Sequence, residues 1–283
     1  MQDQQNTSAK TVVVAGGTDG MGRATALARL RAGDTVVVVG RSPEKGAALV
    51  AEAERLGAAG RFTFLRADLS STKAVQEVVD RIKAAHTAVD ALVLTANRQN
   101  FSRAESPEGL EATFSLYYLS RYLLGHGLSA QFDAAADPVI VNVAGPGNKA
   151  GEVVWDDLQL TGKYGTMRAQ LQAGRANDLL AVAFGENPSS KAKYVLYHPG
   201  FTATGALDQF KQPLRAVVKV FGKLAAKTVD EAVAPILGWI DHPPAQRLTV
   251  DDRGKPVDLT QKAFDKDNAA RLVAVTEDLV ARR

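Results

Sequence analysis

Short runs of β-branched and apolar residues alternate with segments of helical periodicity along most of this chain. Apolar residues at consecutive positions are typical of strands that are buried on both faces of a parallel sheet. The predicted strands are residues 12–15, 35–39, 61–66, 89–95, 139–143 and 194–197. Helices are predicted between them at 23–31, 44–56 and 73–85, and a C-terminal helix over 263–283 is expected to close the edge of the sheet.

Strands that alternate with helices predict right-handed βαβ units. We therefore expect an α/β fold, with a single Rossmann-like doubly wound domain whose parallel sheet has about seven strands and helices on both faces. The domain is expected to cover residues 11–283, after a disordered N-terminal tail at 1–10. No linker, repeat or low-complexity segment interrupts the chain.

One segment, residues 205–227, lies outside the alternation of strands and helices. Its apolar residues recur at helical spacing, and its other face carries basic residues four positions apart. A surface helix with a solvated basic face, a mobile lid over a substrate and a helix that docks on a membrane surface all fit this pattern. Because the segment follows a strand end, it is a candidate substrate lid.

Composition limits the classes of function. The chain has 283 residues, 46% of them hydrophobic and 23% charged, and a formal net charge of +3. It lacks a dense Lys/Arg cluster, so we expect no nucleic-acid partner. It has no cysteine, which excludes thiolate catalysis and Cys-type zinc sites, and its four histidines are scattered, so we expect no metal. No apolar run is long enough to span a bilayer, and a cytoplasmic protein is expected.

A glycine-rich segment follows the first predicted strand and opens the first helix. Gly16, Gly20 and Gly22 allow a tight turn, close approach of the backbone to a pyrophosphate, and close packing of helix on sheet. The free N–H groups of the helix N-terminus would bind phosphate. This order of strand, loop and helix predicts a dinucleotide-binding loop. The other loop residues expected to contact the dinucleotide are Thr18, Asp19 and Met21.

The ends of the second and third strands carry the residues that choose between cofactors. A carboxylate after the second strand would bind the ribose hydroxyls of NAD(H), whereas a guanidinium would pair with the 2′-phosphate of NADP(H). Arg41, followed by Ser42, therefore favours NADP(H), although a surface Arg that flanks a helix is the alternative. After the third strand, Asp68 and Leu69 are placed to meet the adenine, or Asp68 caps a helix.

These residues together resemble the short-chain dehydrogenase/reductase family over nearly the whole chain, and its retinol-dehydrogenase-like branch most of all. Residues 15–22 match the family's T-G-x-x-x-G-x-G, with Ala15 in place of Thr, and 199–204 match its P-G-x-x-x-T. Residues 90–97 match D-x-L-V-N-N-A-G only in part, since Leu94 and Thr95 replace the two Asn and Asn97 replaces the Gly. The resemblance implies further cofactor contacts at Ala96, Asn97, Pro199, Gly200, Thr202 and Thr204.

The catalytic half departs from the family. The positions of its Asn, Ser, Tyr and Lys tetrad fall at Tyr117, Gly145, Gln170 and Gly174, so all four residues are substituted.

Two other alignments of the Tyr and Lys positions stay open. A slip of one residue would move these two positions to Leu171 and Arg175. A second frame would place them at Tyr164 and Arg168.

A reductase of this kind needs another source for the proton that the Tyr would give. A different side chain could donate it, and Tyr117, Tyr118 and Tyr164 have suitable chemistry. Ordered water held by Gln170 or Asn142 is a second source. The third is the substrate itself, if a phenol lies beside its ketone, and this would suit the large aromatic substrates of polyketide tailoring reductases, which the chain resembles in style.

We therefore expect an NADPH-dependent ketoreductase that acts on a bulky, aromatic small molecule and takes its proton from a substrate hydroxyl or from water. A catalytically inactive NADP(H)-binding sensor or scaffold is one alternative, and a non-redox cyclase or isomerase on the same fold is another. The resemblance also implies a homo-oligomer formed through the fourth and fifth helices, with a monomer left open.

Overall fold

A computed structural model describes residues 9–200 and 228–282 of the chain. The strands are β1 Thr11–Ala15, β2 Thr35–Gly40, β3 Phe62–Arg66, β4 Ala91–Leu94, β5 Val139–Val143, β6 Lys193–His198, β7 Leu248–Asp252 and β8 Lys255–Pro256. The helices are α1 Gly20–Arg31, α2 Pro43–Arg55, α3 Thr72–Ala85, α4, α5 Ser129–Ala134, α6 Thr166–Glu186, α7 Val229–Asp241 and α8 Lys266–Ala281. Helix α4 consists of Ala112–Phe114, a π-helical turn at Ser115–Leu119, and Ser120–Gly127.

The described strands form one sheet in the order β3-β2-β1-β4-β5-β6-β7-β8. Strands β1 to β7 are parallel, and β8 pairs antiparallel with β7 at the edge. The strand order reverses between β1 and β4, where Ala15 pairs with Leu94. In an open α/β sheet, ligands bind in the crevice beyond the carboxyl ends of the strands at such a point.

Alternate residues of the central strands pack on opposite faces of the sheet, as the pleat requires. Val13, Leu92 and Ile140 belong to the core under α3, α4, α6 and α8. Val14 and Val93 belong to the core under α1, α2 and α7. Because both faces are covered, the strands carry apolar residues at consecutive positions, which is the pattern that made them predictable.

The structure confirms the single Rossmann-like domain with a doubly wound, mostly parallel sheet. The pattern did not predict β7, which carries Asp251 and Asp252 and is buried only at Val250, nor the helix α7 before it. The C-terminal helix begins at Lys266 and packs against α6, while β8 occupies the edge that the helix was expected to close. The predicted lid at 205–227 and residues 1–8 of the predicted tail lie outside the described residues.

The fold predicts where truncation of a leucine will lower stability. Leu92 is fully buried in β4 between Val13 and Ile140, so Leu92→Ala should lower the free energy of unfolding by about 3 kcal/mol. Leu259 is 41% exposed, and Leu259→Ala should change it by less than about 0.5 kcal/mol. Urea denaturation of both variants measures the two values. Equal losses would contradict this description of the core.

Candidate functional site

A cavity of about 570 Å³ opens at the carboxyl ends of β1 to β4, beside the point where the strand order reverses. It brings together twelve of the residues predicted for the cofactor: Gly16, Thr18, Asp19, Gly20, Met21, Gly22, Arg41, Ser42, Asp68, Leu69, Ala96 and Asn97. The lining also includes residues that the sequence interpretation missed: Gly40, Lys45, Ala67, Thr95, Arg98 and Leu116.

The glycines of the loop are required by close contacts with neighbouring backbone. Gly16 has φ +84°, and a Cβ there would lie 2.6 Å from the backbone nitrogen of Ala96. A Cβ on Gly22 would lie 2.4 Å from the carbonyl oxygen of Gly16. The Thr95 hydroxyl donates to the carbonyl oxygens of Ala15 at 3.0 Å and Gly16 at 3.2 Å, and so holds the loop against β4. Only glycine, which has no side chain, allows this close approach. The loop backbone is then free to contact a ligand directly.

The N-terminus of α1 faces this cavity with its first turn capped by a carboxylate. Asp19 accepts a hydrogen bond from the Gly20 N–H at 2.8 Å, and the Lys45 ammonium from α2 also contacts it. The hydrogen bond from Lys45 is the main reason that the pKa of Asp19 lies below its usual value. Lys45 is one turn after Arg41 in sequence, and that spacing was the signal that could have identified it.

Arg41 lies at the end of β2 with its side chain 60% exposed. Its partner among the described residues is the Asp68 carboxylate, at 3.9 Å, which is a weak ion pair. Asp68 does not cap α3, because that cap is Ser71, whose hydroxyl accepts from the Ala74 N–H. The other oxygen of Asp68 accepts from the backbone N–H and the hydroxyl of Ser70. The guanidinium of Arg41 is therefore available to an anion.

The four positions that the sequence predicts for the family tetrad lie on α4, on α6 and in the loop after β5. Tyr117 is in the π-helical turn of α4 and is 7% exposed. Burial raises the pKa of its hydroxyl, and the nearby Arg121 guanidinium and Gly145 backbone partly offset the rise. Among residues 9–200 and 228–282, a Cβ at Gly145 or at Gly174 would meet no heavy atom within 4 Å, so both are open positions in the described part of the structure. The side chains normally found at these two positions are absent, but the space for them remains.

Gln170 connects α6 to the cavity at the carboxyl ends of β1 to β4, which contains the residues predicted for the dinucleotide and is called the nucleotide cavity below. Its amide nitrogen donates to the carbonyl oxygen of Arg98 at 3.0 Å, and its amide oxygen accepts from the Asn97 side chain at 3.2 Å. Asn97 and Arg98 both line the cavity. Gln170 can therefore orient a polar group at this edge, but a neutral amide is not a proton donor of suitable pKa.

A buried guanidinium lies beneath the tetrad positions. Arg121, on α4, is 1% exposed and donates to the carbonyl oxygens of Ala96 and Val143, at 2.9 Å each. It also donates to the side-chain oxygen of Asn142 and lies over the ring of Tyr117, 4.5 Å from the ring centroid. The sequence interpretation did not identify Arg121, because nothing in the pattern of α4 distinguishes a buried Arg from an exposed one.

The remaining candidate proton donors are engaged elsewhere. Tyr118 is fully buried and its hydroxyl shares a 2.7 Å hydrogen bond with Thr276 on α8. Tyr164 precedes α6 and donates to the carbonyl oxygen of Asn100 at 2.8 Å. Asn142 is fully buried, and its amide donates to Asn177 at 2.8 Å and Tyr194 at 2.7 Å. The protein already engages the polar atoms that would hold water on Asn142.

Of the residues in the predicted P-G-x-x-x-T loop, two are described. Pro199 and Gly200 follow the end of β6, and Gly200 has φ +93°. Neither lines the nucleotide cavity. Thr202 and Thr204 lie outside the described residues.

A second cavity, of about 700 Å³, lies between the loop after β5, helix α6 and the segment that leads into α8. Gly147, two residues beyond Gly145, is part of its wall. Trp155, Val153 and Leu179 give it apolar surface. It therefore offers space for a large ligand beside the loop that follows β5.

Within the described ranges, no helix is long and apolar enough to cross a membrane. In the same residues, no group of three or more His, Cys, Asp or Glu side chains is arranged to hold a metal ion.

The geometry and the sequence agree on the family. The short chain dehydrogenase family matches residues 10–155, more than half of the chain, and the chain belongs to this family of oxidoreductases. Members of the family bind nicotinamide cofactors, and its named relatives are dehydrogenases and ketoreductases that act on CH–OH or C=O groups.

Relatives and solved structures give the same picture. The chain is 28% identical over 241 residues, 85% of its own length and 80% of the other, to the "Putative daunorubicin C-13 ketoreductase DnrU" of Streptomyces sp. strain C5. It is 25% identical to human polyprenol dehydrogenase, over 78% of this chain and 69% of that one. An uncharacterized protein of Mycobacterium paratuberculosis has the same fold, with a TM-score of 0.73 at 21% identity, and the match covers 95% of this chain and 92% of that one.

The contacts of the loop predict which glycine is essential. Gly22→Ala should weaken the binding of a nicotinamide dinucleotide at least about 100-fold, because its Cβ would displace the Gly16 carbonyl and the Thr95 side chain. Gly60→Ala, where a Cβ meets nothing within 4 Å, should leave binding unchanged. Titration calorimetry with NADPH measures both dissociation constants. Full affinity in the Gly22 variant would show that the dinucleotide binds elsewhere.

Proposed function

We propose that this protein is an NADP(H)-dependent ketoreductase that acts on a bulky aromatic ketone and takes its proton from a hydroxyl of the substrate or from water. The observation that carries the proposal is a cavity that has the glycines and the cations a dinucleotide needs, while Gln170 stands at the position predicted for the catalytic Tyr. Such a site fits an enzyme that keeps its cofactor and uses a different proton route.

Two cations support the choice of NADP(H). Arg41 follows β2, the position from which a side chain reaches the 2′ substituent of the adenosine ribose. Lys45 lines the same cavity one helical turn further on and contacts Asp19. A guanidinium and an ammonium together bind a phosphate through charge-assisted hydrogen bonds, whereas a carboxylate would accept hydrogen bonds from the ribose hydroxyls of NAD(H).

The residues around the cavity fit the cofactor. The close approaches at Gly16 and Gly22 leave the loop backbone free of side chains, as a pyrophosphate requires. When bound, NADPH would supply a hydride for transfer to a carbonyl carbon. Asn97 and Gln170 would orient groups at the nicotinamide end, since they hydrogen bond to each other at the edge of the cavity.

The proton must come from outside the family's tetrad. Gln170 cannot supply it and Gly174 carries no ammonium to assist. A positioned acid is typically worth a factor of about 10² to 10⁴ in rate, so a substitute is needed for useful turnover. A phenol beside the ketone meets this need because it can transfer its proton directly to the forming alkoxide. Water held by Gln170 is the second source.

The second cavity supports a large substrate. Its volume of about 700 Å³ is within the range of pockets that bury drug-sized ligands, and Trp155 gives it an aromatic surface. The relative DnrU carries the name of a daunorubicin C-13 ketoreductase, and the human relative that of a polyprenol dehydrogenase. Both names describe bulky substrates, and the open position at Gly145 would let such a substrate approach the nicotinamide.

The substituted tetrad favours one other function, that of an NADP(H) sensor without turnover. A sensor would bind NADPH as tightly as a reductase and would consume none of it with any ketone. Steady-state assays with a panel of aryl ketones separate these two functions.

Arg41 should decide the choice between cofactors. Arg41→Ala should raise the dissociation constant of NADPH about 10- to 100-fold and change that of NADH less than threefold, because only NADPH has the 2′-phosphate. Arg55→Ala, an exposed Arg at the far end of α2, is the matched control and should affect neither cofactor. Fluorescence titration with each dinucleotide measures the constants. An equal loss for both cofactors would refute the assignment of Arg41.

The proton route should depend on the substrate. With NADPH, 1-acetyl-2-naphthol should be reduced at least about 100-fold faster than its methyl ether, which lacks the neighbouring hydroxyl. Gln170→Tyr combined with Gly174→Lys should raise the rate on the methyl ether, because space for the Lys is open, and should change the rate on the naphthol little.

Spectrophotometry at 340 nm measures all four rates. Equal rates of the wild-type protein on the two ketones would show that the substrate hydroxyl is not the donor.

A further inference from the structure

Arg121 is the least expected side chain near the site. Its guanidinium is 1% exposed, yet among residues 9–200 and 228–282 no carboxylate lies within ion-pair distance of it. Its hydrogen-bond partners are the neutral carbonyl oxygens of Ala96 and Val143 and the amide of Asn142, and its Nε has no partner among them. A buried charge without a counter-ion destabilises a fold strongly, so its presence calls for a functional explanation.

The position of this charge is set by the ends of two strands. Ala96 follows β4 and lines the nucleotide cavity, and Val143 is the last residue of β5. The guanidinium bridges the two carbonyl oxygens, so it lies beneath the carboxyl ends of β4 and β5, next to the crevice at which the strand order reverses. Burial lowers the pKa of Arg121, which reflects the cost of desolvating its charge there.

Tyr117 connects this charge to the open part of the site. The guanidinium lies 4.5 Å from the centroid of its ring, and the Gly145 backbone lies near its hydroxyl. A phenolic hydroxyl both donates and accepts hydrogen bonds, so the Tyr117 O–H can donate to a ligand. The open space at Gly145 is where an acceptor would lie.

The π-helical turn holds Tyr117 in place. The side-chain amide of Asn177, from α6, donates to the Tyr117 carbonyl oxygen at 2.7 Å and to the Ala173 carbonyl oxygen at 2.8 Å. Asn177 also accepts from Asn142, which in turn accepts from Arg121. One network of neutral amides therefore fixes both the charge and the ring, and π-helical turns of this kind are frequent at functional sites.

We propose that Arg121 and Tyr117, in cation–π contact, together stabilise the negative charge of the reaction, in place of the ammonium that is absent at Gly174. Tyr117 donates its O–H to the carbonyl oxygen of the substrate, and Arg121 acts through Tyr117 as a positioning residue. This inference rests on the proposed function.

With a substrate that has a neighbouring phenol, bound NADPH would supply the hydride. Its C4–H bond would break to leave NADP⁺, a C–H bond would form at the carbonyl carbon, and the C=O π pair would become a lone pair of an alkoxide. The alkoxide takes the proton of the phenol, which becomes a phenolate, and water reprotonates the phenolate after release. After hydride transfer the substrate carries one negative charge, first on the alkoxide and then on the phenolate. The fixed positive charge of Arg121 stabilises both anions relative to the neutral ketone.

The kinetic test compares three variants with one control. Tyr117→Phe keeps the ring over the guanidinium but removes the donor, and should lower kcat on 1-acetyl-2-naphthol 10- to 100-fold with KM unchanged within threefold. Arg121→Gln should lower kcat by at least as much, and Arg121→Lys should restore it to within tenfold of the wild-type value. Tyr118→Phe loses a buried hydroxyl that lies on another face of the same helix, bonded to Thr276, and should retain full kcat.

A spectroscopic test does not depend on turnover. The probe is 2′-hydroxy-5′-nitroacetophenone bound to the protein with NADP⁺, and the absorbance of its phenolate reports the ionisation of the phenol. The groups that face Arg121 and Tyr117 are Tyr194 from β6 and the Asp178–Arg175 pair from α6. Burial raises the pKa of Asp178 to about 7, and Asp178 is present in both proteins that are compared. The difference between wild type and Arg121→Gln reports the removal of the Arg121 charge.

The expected result is that the bound phenol ionises at least one pH unit lower in the wild-type protein than in Arg121→Gln, while NADP⁺ affinity changes less than threefold. Equal ionisation in the two proteins, or a loss in Arg121→Lys as large as in Arg121→Gln, would overturn the proposal. If Arg121→Gln does not fold, the kcat of Tyr117→Phe tests the proposal, and a full kcat in that variant would overturn it. If the bound phenol ionises at lower pH in the wild-type protein than in Arg121→Gln but the wild-type protein reduces no ketone, the proposed function is refuted and the role of the Arg121 charge still holds.

Discussion

The close contact between the glycine loop and the end of β4 is the constraint on which the site depends. Because Gly16 and Gly22 lack side chains, the loop backbone can lie against Ala96, and the Thr95 hydroxyl holds it there. This contact joins β1 to β4 where the strand order reverses and leaves the α1 N-terminus facing an open cavity. The positions of Arg41, Lys45 and Asn97 around one cavity all follow from it.

The same strand ends also place the charge on the other side of the site. Arg121 reaches the carbonyl oxygens of Ala96 and Val143 only because β4 and β5 are adjacent and parallel. In the family pattern the positive charge of the tetrad comes from a Lys, whose position the sequence places at Gly174 on α6. We propose that Arg121, buried on α4, supplies a positive charge to the site instead.

Much of the fold was predictable because consecutive apolar residues leave little doubt about strands buried on both faces. The cofactor cavity was predictable for the same reason, since its glycines, Arg41 and Asp68 follow strand ends that the pattern marks clearly. β7 was missed because its single buried residue, Val250, is flanked by half-exposed residues. Arg121 was missed because the direction of a side chain on a helix depends on tertiary packing, which local sequence does not report. Lys45 was missed although its spacing of four residues from Arg41 could have identified it.

The central claim is that this chain transfers a hydride although its family tetrad is absent, and one labelling experiment tests it directly. The protein is incubated with NADPH that carries deuterium at both positions of C4 and with 1-acetyl-2-naphthol, and the product alcohol is analysed by mass spectrometry. The account predicts one deuterium on the carbinol carbon of the product. Saturated binding of NADPH without any transfer of label to this ketone or to a panel of larger aryl ketones would contradict it.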